Sequence, residues 1–214
     1  MKKAFCAFLA WLDETWAWHW FARKVLGHLT LRLYGYPKFD FEKWHELCVV
    51  LQEAAADRGA VYAFVLADRL TLASILIRKV SASRWSHAGW LRNEHTVVHM
   101  KGKGVCVQHI LCVLHECDDF ALVRFQTPYK QMITARIDEY ASAPNGTVAY
   151  DFEQELESDS SPVEAKDIYC SELVWVCGRP ELALLPSVVL GRNCFSPDDV
   201  ASHGQIVWSH VSCK

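Results

Sequence analysis

Cys170 lies in the stretch DIYCSELVW, where an extended segment gives way to a short apolar run that we predict to be a helix. A thiol attacks as its thiolate, and a helix N-terminus stabilises that anion through unpaired N–H groups and the positive dipole end. The same N–H groups can hold the oxyanion of a tetrahedral intermediate. We therefore expect a nucleophilic Cys170, partly accessible to solvent, with a pKa below that of a free thiol. The alternative is a small buried residue, because free cysteine is among the most buried residue types.

A nucleophilic cysteine needs a base and a group that orients the base. The stretch RWSHAGWLRNEHTVVHM carries His87, His95 and His99 across two runs typical of a β-hairpin. If the loop is residues 92–94, Leu91 pairs with His95, and His87 pairs with His99 on one face of the sheet. A loop of two or four residues would place the two imidazoles on opposite faces. Two half-exposed sheet histidines without a chemical role are the alternative.

The elements that must position these residues follow from periodicity and from helix start and stop signals. Residues 40–59 have apolar positions at three- and four-residue spacing and end at Gly59, which predicts a helix. A second helix is predicted over residues 4–26, and a third begins in SPDD, where Ser196 is a good N-cap and Pro197 suits the first turn. From residue 61 onward, strands are predicted for VYAFVLA, LTLASILIRKV, SHAGWL, HTVVHM, FALVRF and IVWSHVS. The pattern predicts an α+β fold, an antiparallel sheet packed against helices, with a helical N-terminal extension.

Composition limits the classes of function. The chain has 214 residues and a net charge of −3, so it lacks the excess of Lys and Arg that a nucleic-acid partner requires. Nine cysteines at irregular spacing indicate reduced thiols rather than a secreted disulfide framework. We expect a cytoplasmic location, with membrane-peripheral or exported protein as alternatives.

The N-terminal sequence MKKAFCAFLAWLDETW has two lysines before a short apolar run, which resembles a signal segment. Asp13 and Glu14 interrupt the run, which is too short to span a bilayer as a helix. We expect an amphipathic helix here. Its Trp-rich continuation leaves peripheral membrane contact open as an alternative to ordinary aromatic packing.

A metal site is the competing interpretation of the soft ligands in CVQHILCVLHEC. Cys106, His109, Cys112, His115 and Cys117 follow one another at short spacing. Structural zinc sites usually bring two separated pairs together, and this continuous run does not suit one face of a strand. We therefore predict no metal and no cofactor.

The motifs SHAGWL, HTVVHMKGKGV, GTVAYDF, IYCSELVW and SPDDV, taken in this order, resemble the circularly permuted branch of the NlpC-type papain-like amidases, the YiiX/YebB-like group. The resemblance covers roughly residues 66 to 212. It implies a permuted papain-like fold in which Cys170 is the nucleophile and His87 the base. His99 falls where many relatives carry Glu, and it is the implied third residue of a Cys-His-His triad. Tyr150 matches a recurrent aromatic residue near the site, to which we assign no catalytic role.

The sequence and the resemblance together predict a helical extension over residues 1–60 and a cysteine hydrolase domain over residues 61–214. The expected reaction is cleavage of an amide in a peptide, of the peptidoglycan type or another, through a thioester. A lipid acyl hydrolase or acyltransferase of the lecithin:retinol acyltransferase-like type is one alternative. A catalytically inactive binding module on the same fold is the other.

Overall fold

The structure is a computed structural model that describes residues 41–67, 72–80, 83–115, 117–144, 148–151, 156, 167–189 and 192–211. Its helices are α1 (Phe41–Ala56), α2 (Leu72–Val80), α3 (Ile110–His115), α4 (Lys130–Ser142), α5 (Cys170–Gly178) and α6 (Pro197–His203). Its strands are β1 (Ala60–Ala67), β2 (His87–Leu91), β3 (Thr96–Lys101), β4 (Gly104–His109), β5 (Asp119–Gln126), β6 (Ala149–Tyr150), β7 (Asp167–Ile168), β8 (Ser187–Val189), β9 (Arg192–Cys194) and β10 (Gln205–His210). The helix predicted over residues 4–26 lies outside the described residues.

Six strands form one antiparallel sheet in the order β10-β5-β1-β2-β3-β4. The two-residue turn between β3 and β4 places Gly104 at φ +114°, a conformation that L side chains rarely adopt. Outside this sheet, β6 pairs with β7 in parallel and β8 pairs with β9 in antiparallel fashion. The β6–β7 pair matters for the site, because it brings Tyr150 next to Ile168, two residues before Cys170.

Each face of the large sheet has its own apolar core, as alternation along the strands requires. On one face, Ala88, Trp90 and Val98 pack with α4, α5 and α6. On the other, Phe64, Leu66 and Val97 pack with residues of α1 and α3. We call these the α5 face and the α1 face. Because α1 packs on the sheet itself, part of the predicted N-terminal extension contributes to the core on the α1 face. The division at residue 60 stays a prediction.

Most predicted elements are confirmed. The predicted helix over residues 40–59 is α1, the apolar run after Cys170 is α5, and the SPDD start is α6, capped by Ser196 Oγ accepting the Asp199 N–H. The α+β class is confirmed as well. Among the described residues, no helix is long and apolar enough to cross a membrane.

The strand predicted for LTLASILIRKV is wrong, because the segment forms helix α2. Short apolar runs cannot be assigned from periodicity alone, and its β-branched isoleucines favoured the wrong choice. Two features stabilise the helix. Arg78 and Lys79 lie in its last turn, where the dipole favours positive charge. Buried Ser74 donates to Ser86 Oγ at 2.5 Å and fixes the helix against the start of β2.

Candidate active site

Helix α5 begins at Cys170 because the residues around it satisfy its N-terminus. Glu172 Oε2 accepts the Tyr169 backbone N–H at 3.3 Å, which is half of a capping box. The Tyr169 hydroxyl accepts the Phe195 N–H at 2.8 Å, which ties the start of α5 to the segment before α6. These two hydrogen bonds stabilise the first turn of α5.

The helix packs against β2, and this contact brings Cys170 to the sheet. Trp90 is fully buried, and its Nε1 donates to the Leu173 carbonyl at 3.3 Å. At the start of β2, the Ala88 N–H lies close enough to Cys170 Sγ to hydrogen-bond with it and favour the thiolate. Pairing between β2 and β3 begins at Gly89 and His99, so Cys170 lies where the two strands first separate.

His87 and His99 are hydrogen-bonded to each other, as the resemblance implies for a base and its orienting residue. His87 Nε2 and His99 Nδ1 are 2.8 Å apart, and the rings meet nearly edge to face at 80°. His99 Nε2 in turn lies 3.1 Å from Gln108 Oε1 on β4. The two imidazoles share one face of the sheet, where both contact the ring of Phe64.

The predicted register of the hairpin is wrong by two residues. His99 lies opposite Gly89 rather than His87, and Leu91 lies opposite Val97 rather than His95. The cause is the turn, in which Asn93 Oδ1 accepts the N–H groups of both His95 and residue 96 at 2.9 Å. The histidines still share a face because a shift of two preserves the alternation.

The same turn removes His95 from the site. Its side chain stacks on His109 with the ring centroids 5.9 Å apart and the planes 7° apart. It is largely exposed and lies beside Glu94, with Nε2 3.7 Å from the carboxylate. His95 therefore belongs to the surface of the β3–β4 edge.

Cys170 and the histidines approach the start of β2 from opposite faces of the sheet. Cys170 belongs to the core on the α5 face, whereas His87 and His99 project from the α1 face. The N–H of Ala88, the residue after His87, lies near Cys170 Sγ and lowers the pKa of the thiol against the effect of burial. Both side chains are described by the structure, and no hydrogen bond joins Cys170 to His87 in it.

Burial keeps both Cys170 and His87 neutral, contrary to the sequence-based expectation for the thiol. Cys170 is 2% exposed rather than partly accessible, and burial raises its pKa, an effect that the Ala88 N–H opposes. Burial, and next the neighbouring His99, hold the pKa of His87 well below its ordinary value. The resting pair is a thiol and a neutral imidazole, not a thiolate and an imidazolium.

A small cleft opens beside Cys170 on the α5 face. It is lined by Ile77, Tyr169, Cys170, Ser171, Cys194, Ser196 and Pro197. The Tyr150 hydroxyl donates to Cys170 Sγ at 3.9 Å, and burial raises the pKa of that hydroxyl well above its ordinary value. The geometry thus places Tyr150 next to the thiol, near the site as the resemblance implies.

The soft ligands of CVQHILCVLHEC are divided between two elements. Cys106 and His109 lie on β4, Cys112 is exposed on α3, and Cys117 follows that helix. Among the described residues, no three His, Cys, Asp or Glu side chains gather into a group that could hold a metal ion.

Comparison with known proteins yields a structural relationship. No family model matches the chain, and no curated protein matches it. It is similar to the crystal structure of the metalloprotein yiiX from Escherichia coli O157:H7, also described as DUF1105, with a TM-score of 0.55 over 72% of this chain and 98% of that one. The chain has a YiiX-like α+β fold. At 17% sequence identity the likeness concerns the fold alone.

Proposed function

We propose that the protein is a cysteine hydrolase that cleaves an amide bond through a thioester on Cys170. One observation carries the proposal. The buried first residue of helix α5 is a cysteine whose Sγ meets the backbone at the start of β2, one residue from a histidine held by a second histidine.

The hydrogen-bond chain through the histidines assigns a tautomer to the proposed base. Gln108 Oε1 is an acceptor, so His99 carries its proton on Nε2 and accepts at Nδ1. His87 then donates from Nε2, which leaves its Nδ1 lone pair free as the basic atom. His99 is a positioning residue in this scheme, and Gln108 fixes its tautomer.

In the proposed reaction, His87 Nδ1 takes the proton of Cys170 as Sγ attacks the carbonyl carbon of the substrate. The C–S bond forms while the π pair moves to the oxygen. The tetrahedral oxyanion collapses, the C–N bond breaks, and the amine leaves with the proton from His87. Water then cleaves the thioester. In the structure the two side chains lie on opposite faces at the start of β2. The scheme therefore requires His87 Nδ1 to reach Sγ around the end of the strand when substrate binds, the stage at which catalytic hydrogen bonds often tighten.

The proposed substrate is an amide in a peptide, with peptidoglycan-type peptides first, because the motifs around Cys170 and His87 resemble amidases of that kind. The test is to expose the protein to a cell extract, quench it and determine the mass of the group on Cys170. A peptidyl adduct supports the proposal. A fatty acyl adduct would instead assign a lipid acyl enzyme, and no adduct under any condition would leave a binding module.

A further inference from the structure

Ser171, the residue after the proposed nucleophile, has a buried hydroxyl that forms no hydrogen bond with another described residue. The residue is 1% exposed, and its Oγ is enclosed without a hydrogen-bond partner among the described residues. Ser171 also lines the cleft that opens beside Cys170. Helix α5 has nine residues, and Ser171 is the second of them, within its first turn.

An enclosed hydroxyl without a partner destabilises the fold, because it loses its hydrogen bonds to water and gains none. Natural proteins rarely keep such groups, and each calls for an explanation. Ser83 shows the usual arrangement. It is also buried, but its Oγ donates to the Trp85 carbonyl at 2.6 Å and accepts the Trp85 N–H at 3.0 Å. The Ser171 hydroxyl, by contrast, could donate only to a group bound in the cleft or to the neighbouring thiol.

We propose that Ser171 Oγ is a catalytic hydrogen-bond donor to the oxygen of the acyl group that Cys170 takes up. This inference rests on the proposed function. As Sγ bonds to the carbonyl carbon, the π pair moves to the oxygen, and the Ser171 O–H donates to the resulting anion without transferring its proton. The bond weakens again when the oxyanion collapses and the leaving group departs. A donor that finds its acceptor only during the reaction stabilises the transition state more than the ground state.

Burial raises the pKa of Cys170, and the Ser171 hydroxyl is one of the groups that oppose this rise. The hydroxyl is therefore close enough to the sulfur to favour the thiolate, although the two atoms do not meet the geometry of a hydrogen bond in the structure. The two possible acceptors, thiolate and oxyanion, are distinguished by reagents. Iodoacetamide needs only the thiolate, whereas p-nitrophenyl acetate needs the thiolate and also generates an oxyanion.

The experiment compares both reagents on wild type, Ser171→Ala and Ser83→Ala, together with thermal unfolding. For Ser171→Ala we expect acylation by p-nitrophenyl acetate to slow by roughly 10- to 100-fold, as for loss of one oxyanion donor. Alkylation by iodoacetamide should change by less than about threefold, half a pKa unit of the thiol. The melting temperature should be unchanged or higher. Ser83→Ala should show the reverse pattern, with a lower melting temperature and acylation as in wild type.

Three results would overturn the inference: acylation of Ser171→Ala at the wild-type rate, equal slowing of acylation and alkylation, or slowing that accompanies a lower melting temperature. Cys170→Ala separates this failure from that of the proposed function. If Cys170→Ala abolishes acylation and Ser171→Ala does not slow it, only the role of Ser171 fails. If Cys170→Ala is acylated as fast as wild type, the proposed function fails as well.

Discussion

Gly89→Ala tests the strand register that brings His99 to His87. A Cβ atom at residue 89 would lie 2.6 Å from His99 Cβ, 2.7 Å from Phe64 Cε1 and 2.7 Å from the Val98 carbonyl oxygen. Carbon atoms in contact lie about 3.5–4.0 Å apart, so His99 and the Phe64 ring must each move by roughly 1 Å. Overpacking of this kind costs about 1–3 kcal/mol. Alanine regains about 0.5–1 kcal/mol over glycine in a strand, so we expect a net loss of roughly 1–2 kcal/mol.

Urea denaturation followed by tryptophan fluorescence measures this loss of unfolding free energy. The rate of acylation by p-nitrophenyl acetate shows whether the displacement of His99 affects the site. The matched control is Gly59→Ala, where the added Cβ meets only Asp57 Oδ1 at 3.6 Å, an ordinary contact. The control should stay within about 0.5 kcal/mol of wild type. A Gly89→Ala protein with wild-type stability and acylation would refute the register and, with it, the close approach of the two histidines.

Three further predictions concern charge and protonation. Gln108→Leu removes the acceptor of His99 Nε2 and should slow acylation of Cys170 about tenfold or more. Gln108→Glu keeps an acceptor and should keep most of the acylation rate. Equal acylation rates in the two variants would exclude the tautomer assignment. Because burial raises the pKa of Cys170 and lowers that of His87, iodoacetamide labelling of Cys170 should rise throughout the alkaline range; a plateau between pH 5 and 7 would show an ion pair instead. A backbone N–H and a guanidinium lower the pKa of Asp57 from 3.8 to about 2. The ionised carboxylate therefore stabilises the fold above pH 3.8, and this contribution is lost as pH falls towards 2. The difference in unfolding free energy between wild type and Asp57→Asn should shrink over that range.

The sequence predicts the elements that carry strong local signals. Helix α1 follows from spacing and a glycine stop, and α6 follows from Ser196 and Pro197, whose effects act within one turn. The segment of α2 has no such signal. Its β-branched residues suit a strand equally well, and its contact with Ser86 arises only in the folded sheet.

The candidate site divides in the same way. The face shared by His87 and His99 follows from alternation once the loop has three residues, but their register depends on the side chain of Asn93, which closes the turn one residue later than a simple count suggests. Sequence indicated a helix start at Cys170 and hence an acidic thiol. Burial outweighs the dipole there, and burial is set by helix packing on β2 that no local pattern reports. Gln108 and Ser171 were missed because only the fold shows that the first meets His99 and that the second has no partner.

The central claim is that His87 activates Cys170 for acyl transfer, and the most direct measurement is the rate at which p-nitrophenyl acetate acylates each cysteine, mapped by mass spectrometry of quenched digests. Cys177, fully buried later in the same helix, is the internal control. We predict that Cys170 is acylated first and that Cys177 is not acylated in the folded protein. We also predict that His87→Gln slows acylation of Cys170 by about 100-fold or more, the usual contribution of a general base. Equal acylation of Cys170 in wild type and His87→Gln, or of Cys170 and Cys177 in the folded protein, would contradict the claim.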